Sequence, residues 1–180
     1  MNKNRIKVIV LTSFLLLFLA GCINVNRNFK EISKNVLSNF DDSFKKETEF
    51  AIGPTAMHLV SSFVQFDSES NDMDMGLMFR QVDRIQIGVY KRNKTASFAN
   101  YEKNKLSDNL GKDNWTRLVI SKEPEKVSEV FVKEEEMRLT KMLVVNAEID
   151  QMIIVELSGD LDELIAVAIA NNGLNIAVKK

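Results

Sequence analysis

The chain has 180 residues, with 24 basic and 25 acidic side chains, a formal charge of −1 and one cysteine. A balance this close to neutral offers no concentrated basic face, so nucleic acid is not an expected partner, and a single cysteine rules out an internal disulfide framework. Only two prolines and seven glycines are present, which points to long regular elements rather than a loop-rich fold.

Lys3, Arg5 and Lys7 open the chain, and Val8 to Leu19 form an apolar run of twelve residues, followed by the small residues Ala20 and Gly21. This is the layout of a secretory signal. As a helix the run would span roughly 18 Å at about 1.5 Å per residue, short of the ~20 residues that a membrane span needs. At Leu19-Ala20-Gly21-Cys22 the sequence resembles the bacterial lipoprotein signal: leucine, a small residue, glycine or alanine, then cysteine. The resemblance implies that signal peptidase recognises Leu19, Ala20 and Gly21 and cuts before Cys22. It also implies a thioether-linked diacylglyceride on Cys22 and a fatty acyl chain such as palmitate on the new amino group. One chain anchors only marginally, whereas two or three hold a domain at the membrane. No aspartate follows Cys22, which by the sorting pattern of enteric bacteria implies the outer membrane, facing the periplasm. The expected organisation is a cleaved signal at 1–21, a lipidated cysteine and short tether at 22–28, and one domain at 29–180. Loss of Lys3, Arg5 and Lys7 leaves 21 basic against 25 acidic residues, a formal charge of −4.

Within the domain, Asn28 with Glu31 three positions later reads as a helix cap. Phe29, Ile32, Val36, Leu37, Phe40 and Phe44 then follow at helical spacing. The polar face mixes Lys30, Glu31, Lys34, Asp41 and Asp42, which favours core packing over a membrane-surface helix. Thr48, Phe50 and Ile52 alternate as a short strand that Gly53-Pro54 ends, and proline suits the start of the next helix. In that helix Ala56, Leu59, Val60, Phe63 and Val64 share a face, with His58 opposite. Asp67 to Asp74 reads as an acidic loop, followed by a helical stretch through Leu77, Met78 and Val82. Ile85, Ile87 and Val89 alternate as a strand, Lys91 to Lys94 form a basic connection, and Phe98, Tyr101, Leu106 and Leu110 mark a helix closed by Gly111. Strands are expected at 115–120, 127–133, 137–146 and 151–158, with breaks at Glu123-Pro124-Glu125 and Glu134-Glu135-Glu136. Asp160 to Glu163 cap a last helix carrying Leu161, Leu164, Ile165, Ala168 and Ile169.

The order of elements predicts an α+β fold: a mostly antiparallel sheet of five to six strands with amphipathic helices packed on one face. Several strings carry a family likeness: Val82-Asp83-Arg84-Ile85-Gln86-Ile87, Trp115, Val130-Phe131-Val132, and Ile154-Val155-Glu156-Leu157-Ser158-Gly159-Asp160-Leu161. With the lipid signal, they resemble a family of small bacterial envelope lipoproteins, common in Bacteroidota and known as a domain of unknown function. The likeness covers most of residues 29–170 and implies fold and location, with no catalytic signature to carry over.

No catalytic, cofactor or metal site assembles from the sequence. His58 is the only histidine, so a multi-histidine zinc site cannot form, and no Gly-x-Ser-x-Gly elbow accompanies it. Ser43-Phe44-Lys45-Lys46 has the Ser-x-x-Lys spacing without its companion motifs, at an expected helix end. Asp67, Glu69, Asp72 and Asp74 fail as a calcium loop, because Asp72 stands where glycine is needed and Met78 where glutamate is needed. Lys91, Arg92 and Lys94 precede a helix start, where anions are favoured. Asp41-Asp42, Glu134-Glu135-Glu136 and Asp160/Asp162 fall on a helix end, a turn and a cap. The expected function is therefore non-enzymatic. It is that of a binding or interaction module tied to a membrane through Cys22, with an envelope protein as partner and Met73, Met75 and Met78 as an adaptable contact surface. The alternative is a carrier of lipid or another hydrophobic ligand.

Overall fold

The structure, a computed structural model, describes residues 24–40, 43–58, 80–93, 101 and 105–163. Helix α1 (Arg27–Asn39) leads into β1 (Phe44–Ile52) and β2 (Val82–Arg92). Helix α2 (Lys105–Gly111) precedes a run of four strands: β3 (Trp115–Glu123), β4 (Lys126–Glu135), β5 (Arg138–Glu148) and β6 (Gln151–Gly159).

The cap of helix α1 lies two residues before the expected one. Asn26, with extended φ of −76° and ψ of 171°, is the N-cap, and its side chain accepts from the Phe29 amide at 2.8 Å. This satisfies one of the helix's otherwise unbonded donors. Phe29, Ile32, Ser33, Val36 and Asn39 form the buried stripe, the three- and four-residue spacing that puts side chains on one helix face. The helix ends at Asn39, where the Phe40 amide bonds the Leu37 carbonyl at 3.0 Å. Phe44, expected in the same helix, instead opens β1. The two rings still meet edge to face at 6.0 Å and 86°, so the apolar spacing continued across a change of element.

The six strands form one antiparallel sheet in the order β1-β2-β6-β5-β4-β3. β2 and β3 run in the same direction, with β6, β5 and β4 between them. The β4–β5 hairpin turns at Glu136 and Met137, both left-handed with φ of 53° and 61°. Positive φ at both central residues matches the right-handed twist of the flanking strands. At Gly159, φ is 152° and an added Cβ would strike the Gln81 carbonyl oxygen, so glycine is required where β6 leaves the sheet.

The register assigns two faces. On one lie Gln86, Gly88 and Tyr90 of β2, Met152, Ile154 and Glu156 of β6, Leu143, Val145 and Ala147 of β5, and Val127, Glu129 and Phe131 of β4, all buried. Against them pack Phe29, Val36, Phe40, Leu106 and Leu110 from the two helices, forming the main core. The second face carries an unbroken apolar row across all six strands: Phe50, Ile87, Val155, Val144, Val130 and Val119. Ile85, Ile87 and Val89 lie on this second face and are half-buried.

The expectation that helices cover one face needs correction. Helices α1 and α2 do so, but Leu161, in a helical turn at 161–163, packs with Val132 and Leu139 in a separate cluster that also takes Met142 and Leu157. The reason is that both faces are apolar, so each requires cover.

Candidate functional site

Between α1 and the β3–β4–β5–β6 end of the sheet lies an open cavity of about 180 Å³. Asn28, Glu31, Ile32 and Asn35 line its helical wall. Asn28, Glu31 and Asn35 are one flank of α1, beside the buried stripe to which Ile32 belongs. Asp113 and Trp115 line it where α2 turns into β3, and Lys133, Lys141 and Glu156 line it from the sheet. Asn114, between the first two, is left-handed at φ of 63° and reverses the chain there.

Register places the sheet residues. Trp115 pairs with Lys133, Lys133 with Lys141, Lys141 with Ser158, and Ser158 with Arg84, so three cations share one row on the core face. The adjacent row is Phe131, Leu143, Glu156 and Gln86. Like charges directly opposite one another on a sheet are unfavourable, and Lys133 Nζ lies 3.9 Å from Glu135 Oε1.

Glu156 is 2 % exposed. Its Oε1 accepts from Gln86 Nε2 at 3.0 Å, while Oε2 is buried without a hydrogen-bond partner. Burial holds the Glu156 carboxyl above the ordinary carboxylate range, opposed by Lys141, the Gln86 bond, Lys133 and Arg84. Gln86 is held in turn, because its Oε1 accepts from the Asn26 amide at 2.7 Å. A polar relay therefore runs from the α1 cap through Gln86 to the cavity floor.

A second buried acid, Glu129, sits two strands away at 0 % exposure. Burial pushes its pKa up to about 7, against the pull of Arg117, whose Nη1 lies 3.3 Å from Oε2. Both acids were invisible to sequence reasoning because each sits in a strand apolar on both sides. The available signal was a charged residue at the same alternation as Met152 and Ile154, or as Val127 and Phe131, rather than at a strand end.

Several residues singled out from sequence have structural partners instead. Ser43 precedes β1, with its carbonyl taken by the Asn93 amide, and Lys46 pairs with Glu49 at 3.5 Å. This corrects the helix-end placement of Ser43 to Lys46. Lys91 and Arg92 are not a connection but the end of β2: Lys91 pairs with Glu47, and Arg92 donates to the Ile149 carbonyl. Asp162 accepts from the Leu139 amide at 3.1 Å, and Asp160 pairs with Arg138 at 3.4 Å. Glu136 lies in the hairpin turn, and Glu134 and Glu135 end β4. His58 is exposed. Leu19, Ala20, Gly21, Cys22, Asp41, Asp42, Lys94, the loop at 67–74 and the methionines 73, 75 and 78 lie outside the described residues. Among the described residues, no group of three or more His, Cys, Asp or Glu converges as metal ligands, and no helix is long and apolar enough to cross a membrane.

Residues 40–164 match the family described as a domain of unknown function, DUF4252, and the chain belongs to that family. Neither the curated proteins nor the solved structures give a match.

Proposed function

We propose that the protein is a lipid-anchored, non-enzymatic binding module of the bacterial cell envelope, held at the outer membrane by acyl chains on Cys22 and facing the periplasm. The domain takes a polar ligand in the cavity beneath α1 and presents itself to an envelope protein partner. One observation carries the binding role: Glu156, buried with one oxygen unpartnered, lines an open cavity beside Lys133 and Lys141. Buried polar atoms without partners are rare and mark unmet hydrogen bonds. The non-enzymatic reading is supported by Asp160, Asp162 and Ser43, each engaged in holding the chain together. The test is crosslinking in intact cells followed by affinity recovery of the lipidated protein, with Cys22→Ala as control. An enriched partner that depends on the anchor supports the reading; a partner set identical for Cys22→Ala overturns anchored recognition.

The apolar row from Phe50 to Val119 favours a second reading, in which the other sheet face carries a hydrophobic ligand. Native mass spectrometry of protein extracted from membranes separates the two. Co-purifying lipid supports the carrier, and bare protein opposes it.

A further inference from the structure

We infer that the cavity beneath α1 binds a small zwitterion, a free α-amino acid or a dipeptide, seating its carboxylate on Lys133 and Lys141 and its ammonium over Glu156. The inference rests on reading the cavity as the binding site and names the ligand class.

The two lysines are directly opposite across β4 and β5 on the face toward α1. Side by side they repel each other, and neither lies within ion-pair distance of Glu156. Glu156 is one diagonal step from Lys141, since its cross-strand partner Leu143 is two residues on. The cavity thus holds a cationic pair and an acid as neighbours that do not neutralise each other directly. Further carboxylates, Glu31 and Asp113, stand at its walls. A simple anion would relieve the lysines and leave Glu156 Oε2 without a donor. A simple cation would do the reverse. A small molecule bearing an ammonium and a carboxylate meets both needs, with charge-assisted hydrogen bonds on each side. Size agrees: about 180 Å³ is below the roughly 300–1,000 Å³ of sites for drug-sized ligands. Ile32 and Trp115 supply an apolar wall for a short side chain.

The chain contains one tryptophan, and it lines this cavity, so its fluorescence reports binding at the site itself. Full-length protein extracted in detergent is titrated with L-alanine, glycylglycine, ethylamine and propionate at pH 7. The expected result is a saturable Trp115 response to L-alanine or glycylglycine at concentrations at least tenfold below those at which ethylamine or propionate act. Lys141→Met and Glu156→Gln should each weaken that response tenfold or more, while Lys126→Met, at the distant pair with Glu148, leaves it unchanged. Thermal melts of each variant identify any that fails to fold, and the wild-type probe comparison decides the question without them. Propionate or ethylamine matching L-alanine overturns the zwitterion and keeps the cavity as a binding site. No response to any of the four overturns both.

Discussion

Gln86 Nε2 donates to Glu156 Oε1 at 3.0 Å in the buried centre of the sheet, and Gln86 Oε1 accepts from the Asn26 amide at 2.7 Å. One glutamine side chain thus joins the cavity floor to the cap of α1, four residues after Cys22. The amide suits this position because it is donor and acceptor at once, and both ends are fixed.

Gln86→Leu keeps the volume and removes both bonds. It strands the Asn26 amide and both Glu156 oxygens, for an expected loss of about 2–4 kcal/mol. The exposed Arg27–Glu31 pair at 2.9 Å is the comparator, since Arg27→Ala should change stability by less than about 1 kcal/mol. Urea denaturation of both variants checks the contrast, and equal losses would show that the relay is no more than a surface contact.

Stability should fall as pH rises through the acidic range. Burial raises Glu129 from 4.5 to about 7 and shifts Glu156 the same way. With the folded pKa above the unfolded one, the native state binds the proton more tightly. The contribution is complete below the unfolded pKa of 4.5 and is lost as pH rises to about 7. For Glu129 the change is on the order of 1–3 kcal/mol, with Arg117 opposing it. Glu129→Gln should flatten the dependence between these limits. An unchanged slope in that variant would assign the titration to another group.

Gly88 is required by Tyr90. A Cβ there would sit 2.5 Å from Tyr90 Oη and 2.7 Å from Cε2, and that hydroxyl donates to Glu49 at 2.8 Å. Gly88→Ala should cost about 1–3 kcal/mol through this overpacking. In a Tyr90→Val background the same change should cost far less, because contacting residues couple. Additive losses in thermal melts would place the strain elsewhere.

The proposed anchor is tested by fractionation. On the proposed lipid anchor, Cys22→Ala should leave the membrane pellet or accumulate unprocessed, because acyl chains would supply about 0.8 kcal/mol of binding per buried methylene. A mature-sized variant that still pellets would refute lipid attachment as the tether.

Much of the sheet is legible in the sequence. The strands from Trp115 onward follow their alternation closely, and breaks at Pro124-Glu125 and near Glu136 fall where polar turn residues interrupt it. Local signals suffice for such hairpins because adjacent strands pair through short turns. The end of α1 was less legible, because Phe40 and Phe44 continue the helical spacing while Phe44 belongs to a strand. The cavity was not legible at all. Its residues come from five separate elements and one turn, and no spacing in sequence announces that Asn35, Asp113 and Glu156 will meet.

By itself the sequence determined the strands from Trp115 onward, the antiparallel class of the sheet and the expectation of a lipidated Cys22, because these depend on neighbours a few residues apart. Tertiary structure alone decided which face became the main core. Ile85, Ile87 and Val89 carry the apolar alternation of β2, yet it is Gln86, Gly88 and Tyr90 that turn toward α1. β2 turns its more polar side, with Arg84 and Gln86, toward the main core, so apolar alternation alone does not reveal its orientation. Only the packing of α1, through Asn26 and Gln86, settles it, and that choice buries Glu156 beside two lysines.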